Sequence, residues 1–496
     1  MELTLICPFN FPFAPGIRSL SSIIKEDGHK VNLMFLPIDF RNIYEKKILD
    51  QIANIAQNSS LIGITVMSMY VRTVASLTNY LKKEINIPVV WGGAHPTVSP
   101  NESLKYADIV CVSESEISFK ALVNKIEKNE EYWGIPGICY KNNNNIFSNP
   151  PASLIQNLDQ LPFQDVDYKS HYLLADNQIN KMDYETAKNF FGSIYLTMAS
   201  RGCPYSCTYC INDYLKKIHK NENKIRKRSL NNLYNELIEV KQNLPFVKQV
   251  WIDDDYFFGS YSVAEIEDFC QIYKKNIGLP LEIDGGTART LTREKLSLLV
   301  AAGLSITRIG IQSGSDRTNK MYRRAQSNEQ ILEAARLINE FKDKVIINYD
   351  IIVDNPWESE EDMIDTLMLL VKLPRPCHIG VRSLTFFPGT TLYHKSKKEG
   401  IVVDDEQYLT QKSTGDVTKS YLNRIFLLFD FKSSYSPKIY LWMVKFLVNK
   451  KLRKFGISHT LLSILEIRLN IYKVLLLIFK KLRHSVKCSL LNINLL

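Results

Sequence analysis

With 496 residues, 45% hydrophobic and 23% charged, the chain is too long for one ordinary core and lies outside the disordered and polytopic classes. Its net charge of +10 does not indicate nucleic acid, because residues 431–496 carry 13 Lys and Arg against Glu466 alone and leave −2 to the first 430 residues. Nine cysteines are too few for a disulfide scaffold, and Met1-Glu2-Leu3-Thr4 leads directly into an apolar run without a leader pattern, so a cytoplasmic location is expected.

From the amino terminus, short apolar runs alternate with segments of helical period, the α/β pattern of a parallel sheet covered by helices. Strands are predicted over Leu3–Cys7, Val31–Phe35, Leu61–Val66, Pro88–Trp91 and Asp108–Val112, with crossover helices such as Ile17–Glu26 and Val71–Glu84. A doubly wound domain over 1–140 follows, with ligands expected beyond the carboxyl ends of its strands. Residues 141–189, with consecutive asparagines, Pro150-Pro151 and Pro162, read as a linker.

A second alternation spans 190–403, with strands near Ile194–Met198, Val247–Ile252, Leu281–Ile283, Ile306–Ile311, Val345–Ile352 and Ile379–Leu384. Six strand–helix units fall short of the eight that close a full barrel, so an open, partial barrel is predicted, with its chemistry at the strands' carboxyl ends. Residues 404–496 read as Lys-rich helices without an uncharged stretch long enough to span a bilayer.

The first strand of the second domain runs into Arg201-Gly202-Cys203-Pro204-Tyr205-Ser206-Cys207-Thr208-Tyr209-Cys210. Thiolates at i, i+4 and i+7 on a tight loop can converge on one small cubic cluster, and three ligands leave the fourth iron open to a small molecule. The alternative is a zinc site of these cysteines plus His219. The other six cysteines are isolated in sequence and do not form a second cluster.

This C-x-x-x-C-x-x-C loop resembles the defining motif of the radical S-adenosylmethionine superfamily, and the similarity covers roughly residues 190 to 395. The resemblance implies a 4Fe-4S cluster on Cys203, Cys207 and Cys210, whose open iron chelates S-adenosylmethionine for cleavage to a 5'-deoxyadenosyl radical. It places Tyr209 beside the adenine. Trp251-Ile252-Asp253-Asp254-Asp255-Tyr256-Phe257 resembles the family's Asp-Asp-x-Phe stretch, in which Asp254 would orient the cluster loop or the nucleoside. Ile309-Gly310-Ile311-Gln312-Ser313-Gly314-Ser315 resembles Gly-x-Glu-Ser-Gly-Ser, with Gln312 replacing the usual Glu and Ser313 near the S-adenosylmethionine. Arg289 would meet the methionine carboxylate or stand on the surface.

In the first domain, Gly92-Gly93-Ala94-His95-Pro96 at a strand end is similar to the Gly-Gly-x-His-Pro of the superfamily's cobalamin-binding class. Gly92 and Gly93 would admit cobalamin to the backbone, Ser68 would meet its nucleotide tail, and His95 would orient the loop. No Asp-x-His-x-x-Gly motif occurs between Pro8 and Lys25, so no histidine is expected on cobalt. Ser113-Glu114-Ser115-Glu116 stands where the class often has Gly-Glu-Gly-Glu, and its side chains could crowd the tail.

The resemblance implies a cobalamin-dependent radical enzyme, foremost a methyltransferase acting on an unactivated carbon of a small-molecule or lipid substrate, with an electron donor such as flavodoxin or ferredoxin. Oxidation, cyclisation or rearrangement without methyl transfer is an alternative, and a non-catalytic cobalamin-binding or membrane-associated module is one of another class. The basic tail, with Leu461, Leu462, Leu465 and Leu469 at helical spacing beside Lys450-Lys451-Leu452-Arg453-Lys454 and Lys480-Lys481-Leu482-Arg483, fits either peripheral contact with the inner membrane face or a helical cap on the barrel.

Overall fold

The computed structural model describes residues 1–142, 145–220, 224–428, 437–454 and 456–466. Strands β1 (Glu2–Cys7), β2 (Lys30–Phe35), β3 (Leu61–Thr65), β4 (Val89–Gly92) and β5 (Ile109–Cys111) are near-continuous apolar runs, as strands covered on both faces must be. They pair in parallel in the order β5-β4-β3-β1-β2. Leu5 stands between Leu33 and Gly63, and a Cβ on Gly63 would lie 2.8 Å from Leu5 Cδ2, so a larger residue there would have to displace that leucine. The helices Pro15–Glu26 and Val71–Glu84 fall where the periodicity put them.

The stretch read as a linker instead widens this sheet to nine strands. β6 (Ile138–Asn142) and β7 (Asn145–Ser148) form an antiparallel hairpin on β5, while β8 (His171–Ala175) pairs in parallel with β2 and antiparallel with β9 (Gln178–Lys181). β7 is exposed along its whole length, and such short polar edge strands carry no apolar run to announce them. Asp165 fastens the segment to the helix Pro15–Glu26: its carboxylate accepts from Ser21 Oγ at 2.6 Å and pairs with Lys25 at 2.7 Å. Asn143 and Asn144 lie outside the described residues.

The second domain opens with β10 (Ile194–Thr197) and a two-stranded antiparallel ribbon, β11 (Ser200–Arg201) on β12 (Arg226–Lys227). The remaining strands are β13 (Gln249–Ile252), β14 (Leu281–Gly286), β15 (Leu304–Gln312), β16 (Ile346–Val353) and β17 (His378–Ser383). The large strands pair in parallel in the order β10-β13-β14-β15-β16-β17, an open six-stranded partial barrel with β10 and β17 as its edges. Five crossover helices start at Ser229, Ser262, Thr292, Ser327 and Ser359, each hydroxyl accepting the N–H three residues on. These caps satisfy otherwise orphaned donors and set where each helix leaves the sheet edge.

The carboxy-terminal helices Tyr421–Leu428 and Pro437–Leu447 bury Ile425, Phe426, Val444 and Leu447 and pack on the barrel helix Glu360–Lys372. Arg453 pairs with Glu360 at 2.8 Å and Lys450 with Glu361 at 2.9 Å. The described part of the tail is thus a cap on the barrel. Leu469, Lys480-Lys481-Leu482-Arg483 and Cys488 lie outside the described residues. Among the described residues no helix is long and apolar enough to cross a membrane.

Candidate functional site

The cysteine loop hangs from the β11/β12 ribbon at the carboxyl end of β10. Gly202 turns it with a φ of +97°, and a Cβ there would meet Lys224 O at 3.4 Å. Cys207 is buried, Cys203 and Cys210 are half-buried, and burial pushes the Cys203 thiol up to about 11 and that of Cys210 to about 12. Cys210 N–H donates to Cys207 O at 3.0 Å, and Lys216 Nζ donates to Tyr205 O at 2.7 Å. Among the described residues no three His, Cys, Asp or Glu side chains stand at the spacing of one bound ion. Ligands of an iron–sulfur cube bind different irons and stand farther apart, and the all-thiol donor set on one loop fits that group. His219, the fourth ligand of the zinc alternative, is engaged by the first domain, with Nε2 2.7 Å from Ser113 Oγ.

Asp254 holds the root of the loop. Its carboxylate accepts from Ala199 N at 2.7 Å and Ser200 Oγ at 2.7 Å. Burial raises its carboxyl to about 7, against the pull of those hydrogen bonds. Arg324, which sequence reading did not single out, reaches one of the thiols. Its Nη1 lies 3.6 Å from Cys207 Sγ and its Nη2 donates to Gly310 O at 2.7 Å. Arg324 and Cys207 are 117 residues apart in sequence, so no local pattern announces the contact.

The other predicted residues separate. Tyr209 is half-buried and packs edge-on against Tyr322 at 5.1 Å. Ser313 is fully buried between Thr366 Oγ1 (3.0 Å) and Glu358 Oε1 (3.3 Å), and Arg289 is exposed with Nη1 3.4 Å from Ala325 O. Gln312 adopts a left-handed φ of +69° at a register shift in β15. The inner face of the barrel is polar: Arg308 lies 3.4 Å from Asp284 and 3.2 Å from Asp350, beside Glu282. Oδ1 of both aspartates is buried without a hydrogen-bond partner among the described residues. Orphaned acceptors of this kind fit the hydroxyl and ammonium groups of S-adenosylmethionine.

In the first domain a cavity of about 300 Å³ lies at the ends of β3, β4 and β5, lined by Gly63, Gly92, Gly93 and Phe119 and reaching Met198 and Arg201 of the second domain. Gly93 has a φ of +99°, and a Cβ there would stand 3.2 Å from the backbone N and O of Val66. The glycines leave a cradle that side chains would fill, sized for an arm of a corrinoid rather than the whole. Ser113 turns toward His219, at a φ of +69°. Glu114 and Glu116, whose ionic partners sequence reading also missed, both pair with Arg201.

Ser68 and His95 stand behind the cradle, with His95 Nδ1 3.3 Å from Ser68 Oγ and His95 N–H donating to Val66 O at 3.0 Å. His95 is fully buried, and that burial lowers its imidazole to about 4. The folded state therefore refuses a proton that the unfolded chain accepts from the ordinary value of 6.5 downward, so stability is full above pH 6.5 and falls as the pH drops toward 4. Between pH 7 and 5 this one group should remove about 2 kcal/mol. Urea unfolding at both pH values is expected to show His95→Gln losing less stability than the natural protein over that interval; equal losses would refute it.

Profiles of two families match the chain: the B12 binding domain over residues 3–123 and the radical SAM superfamily over residues 198–370. An uncharacterized methyltransferase of Pyrococcus horikoshii is 24% identical over 79% of this chain and 82% of its own length. The anaerobic magnesium-protoporphyrin IX monomethyl ester cyclase of a Synechocystis species is 23% identical over 88% of this chain and 84% of its own. Among solved structures, the cobalamin-dependent S-adenosylmethionine radical enzyme OxsB with aqua-cobalamin bound shares the fold at a TM-score of 0.66 and 16% identity, covering 92% of this chain and 76% of that one. The radical S-adenosylmethionine methyltransferase TsrM of Kitasatospora setae does so at 0.64 and 16%, covering 80% and 76%.

Proposed function

The chain belongs to the radical S-adenosylmethionine superfamily, in its cobalamin-binding class, and on that premise we propose that it methylates an unactivated carbon of a small-molecule or lipid substrate. The observation that carries this reading is the cavity at the first sheet's strand ends, whose wall includes Arg201, two residues before the first cysteine. The cavity and the root of the cysteine loop therefore adjoin.

When bound, the cluster supplies the electron that cleaves S-adenosylmethionine, and cobalamin supplies the methyl group. Cys203, Cys207 and Cys210 would hold the cluster, with Asp254 fixing the loop root and Arg324 placing a cation beside Cys207. Tyr209 would border the nucleoside, and Asp284 and Asp350 would accept from its polar groups. Gly92 and Gly93 would admit the corrinoid, while Ser68 and His95 support that turn from behind. A small one-electron carrier, flavodoxin or ferredoxin, would reduce the cluster.

A second reading, radical cyclisation or oxidation without methyl transfer, draws on the likeness to a relative named as a cyclase. Protein reconstituted without oxygen with iron, sulfide and hydroxocobalamin, then given reductant and S-adenosylmethionine, separates the two. Methyl transfer requires S-adenosylhomocysteine beside 5'-deoxyadenosine. Deoxyadenosine alone would leave the second reading, and neither product would sink both.

The cap also leaves Ile439 and Trp442, on the helix carrying Lys438 and Lys445, and Ile457 and Ile464, in the helical stretch that follows Lys451 and Lys454, half or more exposed. This face would rest on an anionic membrane surface. Flotation with vesicles containing phosphatidylglycerol is expected to carry the full chain and to lose it on Trp442→Glu. Equal flotation of both proteins, or of neither, would count against the contact.

A further inference from the structure

The ribbon that carries the cysteine loop contains an electrostatic conflict. Arg201 on β11 stands directly opposite Arg226 on β12, and like charges opposite each other in an antiparallel pair repel. Water does little to screen them, because the Arg226 side chain is only 5% exposed and that of Arg201 22%.

Glu114, from the other domain, resolves the conflict. Its Oε2 accepts from Arg201 Nη1 at 2.8 Å and Arg226 Nη1 at 2.9 Å, and its Oε1 accepts from Arg226 Nη2. Arg201 has a second carboxylate, Glu116 at 2.7 Å, whereas Glu114 is the carboxylate that Arg226 pairs with. Loss of Glu114 would thus leave a buried guanidinium facing a like charge without its counter-ion, an arrangement that costs more than the pair itself contributes.

The consequence would fall unevenly on the three thiols. Cys207 and Cys210 are held from the barrel side: Thr208 N–H donates to Tyr322 O at 3.2 Å, Thr208 Oγ donates to Met321 O at 2.9 Å, and Cys210 N–H donates to Cys207 O. Cys203 follows Arg201 by two residues, so the ribbon is the sheet structure that leads into it, with Lys216 holding Tyr205 O at 2.7 Å on its other side.

We propose that Glu114 is a positioning residue for the iron–sulfur cluster: acting through Arg201 and Arg226, it holds β11 on β12 and so fixes where Cys203 stands relative to the other two cysteines. The inference rests on the reading of the three cysteines as cluster ligands. It makes one carboxylate at the edge of the cobalamin cradle responsible for the geometry of the neighbouring cofactor.

The test uses the full chain reconstituted with iron and sulfide, following iron release to bathophenanthroline, the electron paramagnetic resonance spectrum of the dithionite-reduced cluster, and the melting temperature. Glu114→Gln should release iron about 10–100-fold faster, the range seen when an outer-shell partner of a metal site is removed, with an altered spectrum. Glu116→Gln, which leaves the carboxylate between the arginines, should change release far less. In Glu114→Gln/Arg226→Gln the opposed charges are gone, and release should return toward the natural rate. A Glu114→Gln protein with natural release and spectrum would overturn the proposal, as would a double variant as labile as the single one. Should the unaltered chain take up no iron at all, the cluster reading itself fails, a result distinct from either of these.

Discussion

Changing any one of Cys203, Cys207 and Cys210 to Ala is expected to reduce iron from about four per chain to near zero after anaerobic reconstitution, and 5'-deoxyadenosine formation to background. Each thiolate would hold a different iron, so no neighbouring group can substitute for a lost one. Among the described residues, the other five cysteines are buried and lie outside the loop. Burial raises the Cys203 and Cys210 thiols further above neutral pH, so loading the cluster must drive their protons off at a greater cost, and two ligands would return less binding free energy against it. Cys270→Ala is the matching control, since its thiol lies in the hydrophobic core and should leave iron content unchanged. Iron and sulfide analysis with product chromatography reads the outcome, and an Ala variant that keeps both cluster and deoxyadenosine would remove that cysteine from the ligand set.

Gly92→Leu should produce the opposite separation, keeping the cluster and losing cobalamin. A Cβ on Gly92 would meet only Cys111 Cβ and Ser115 Oγ, both at 3.9 Å and in ordinary contact, so β4 tolerates the side chain. The rest of the leucine would project into the 300 Å³ cavity and occupy space the corrinoid arm needs. Overfilling of this kind costs about 1–3 kcal/mol, or about 10–100-fold in affinity for hydroxocobalamin. Cobalt retained after gel filtration should fall accordingly, with iron content and melting temperature unchanged, and deoxyadenosine should form without S-adenosylhomocysteine. Normal cobalt retention by this variant would show that the cavity is not where the corrinoid enters. Gly93 would not serve as well, because its φ of +99° and the nearby Val66 backbone would confound strain with occlusion.

Both effects act through residues whose types and spacing are legible in the sequence. The cysteine loop, the two glycines and the order of the two domains all lie within short stretches of chain, where local chemistry dictates pattern: thiols at i, i+4 and i+7 share one turn, and a glycine pair ends a buried strand. The parallel strands β1 to β5, β10 and β13 to β17 were readable from their apolar content, near-continuous in the first sheet, which is covered on both faces, and interrupted in the barrel by the polar residues of its inner face. β6 to β9 were not, because the two outermost strands on each side of the sheet, β7 and β9 at its edges, are short and partly exposed and need no such run, and the prolines and asparagines of their turns resemble a linker.

Site residues divide along the same line. Asp254 was legible as a residue that would orient the cluster loop or the nucleoside because it follows a strand end beside that loop, and its carboxylate accepts from Ala199 and Ser200. Ser313 follows its motif in sequence, yet its hydroxyl is consumed by Thr366 and Glu358, a choice made by how the helix Glu360–Lys372 and the loop before it pack. Gln312, a plain substitution in the sequence, proves to sit in left-handed backbone at a register shift.

By itself, then, the sequence determined which cofactors this chain is built around and which residues are the candidates to hold them, because metal ligation and backbone approach depend on residue type within a few positions. Tertiary structure alone decided what surrounds them: Arg324 beside Cys207, the orphaned carboxylate oxygens of Asp284 and Asp350, and Glu114 between Arg201 and Arg226. Charges find one another by distance in space rather than along the chain, and Glu114 meets its arginines across 87 and 112 residues, a separation that only the docking of two domains can close.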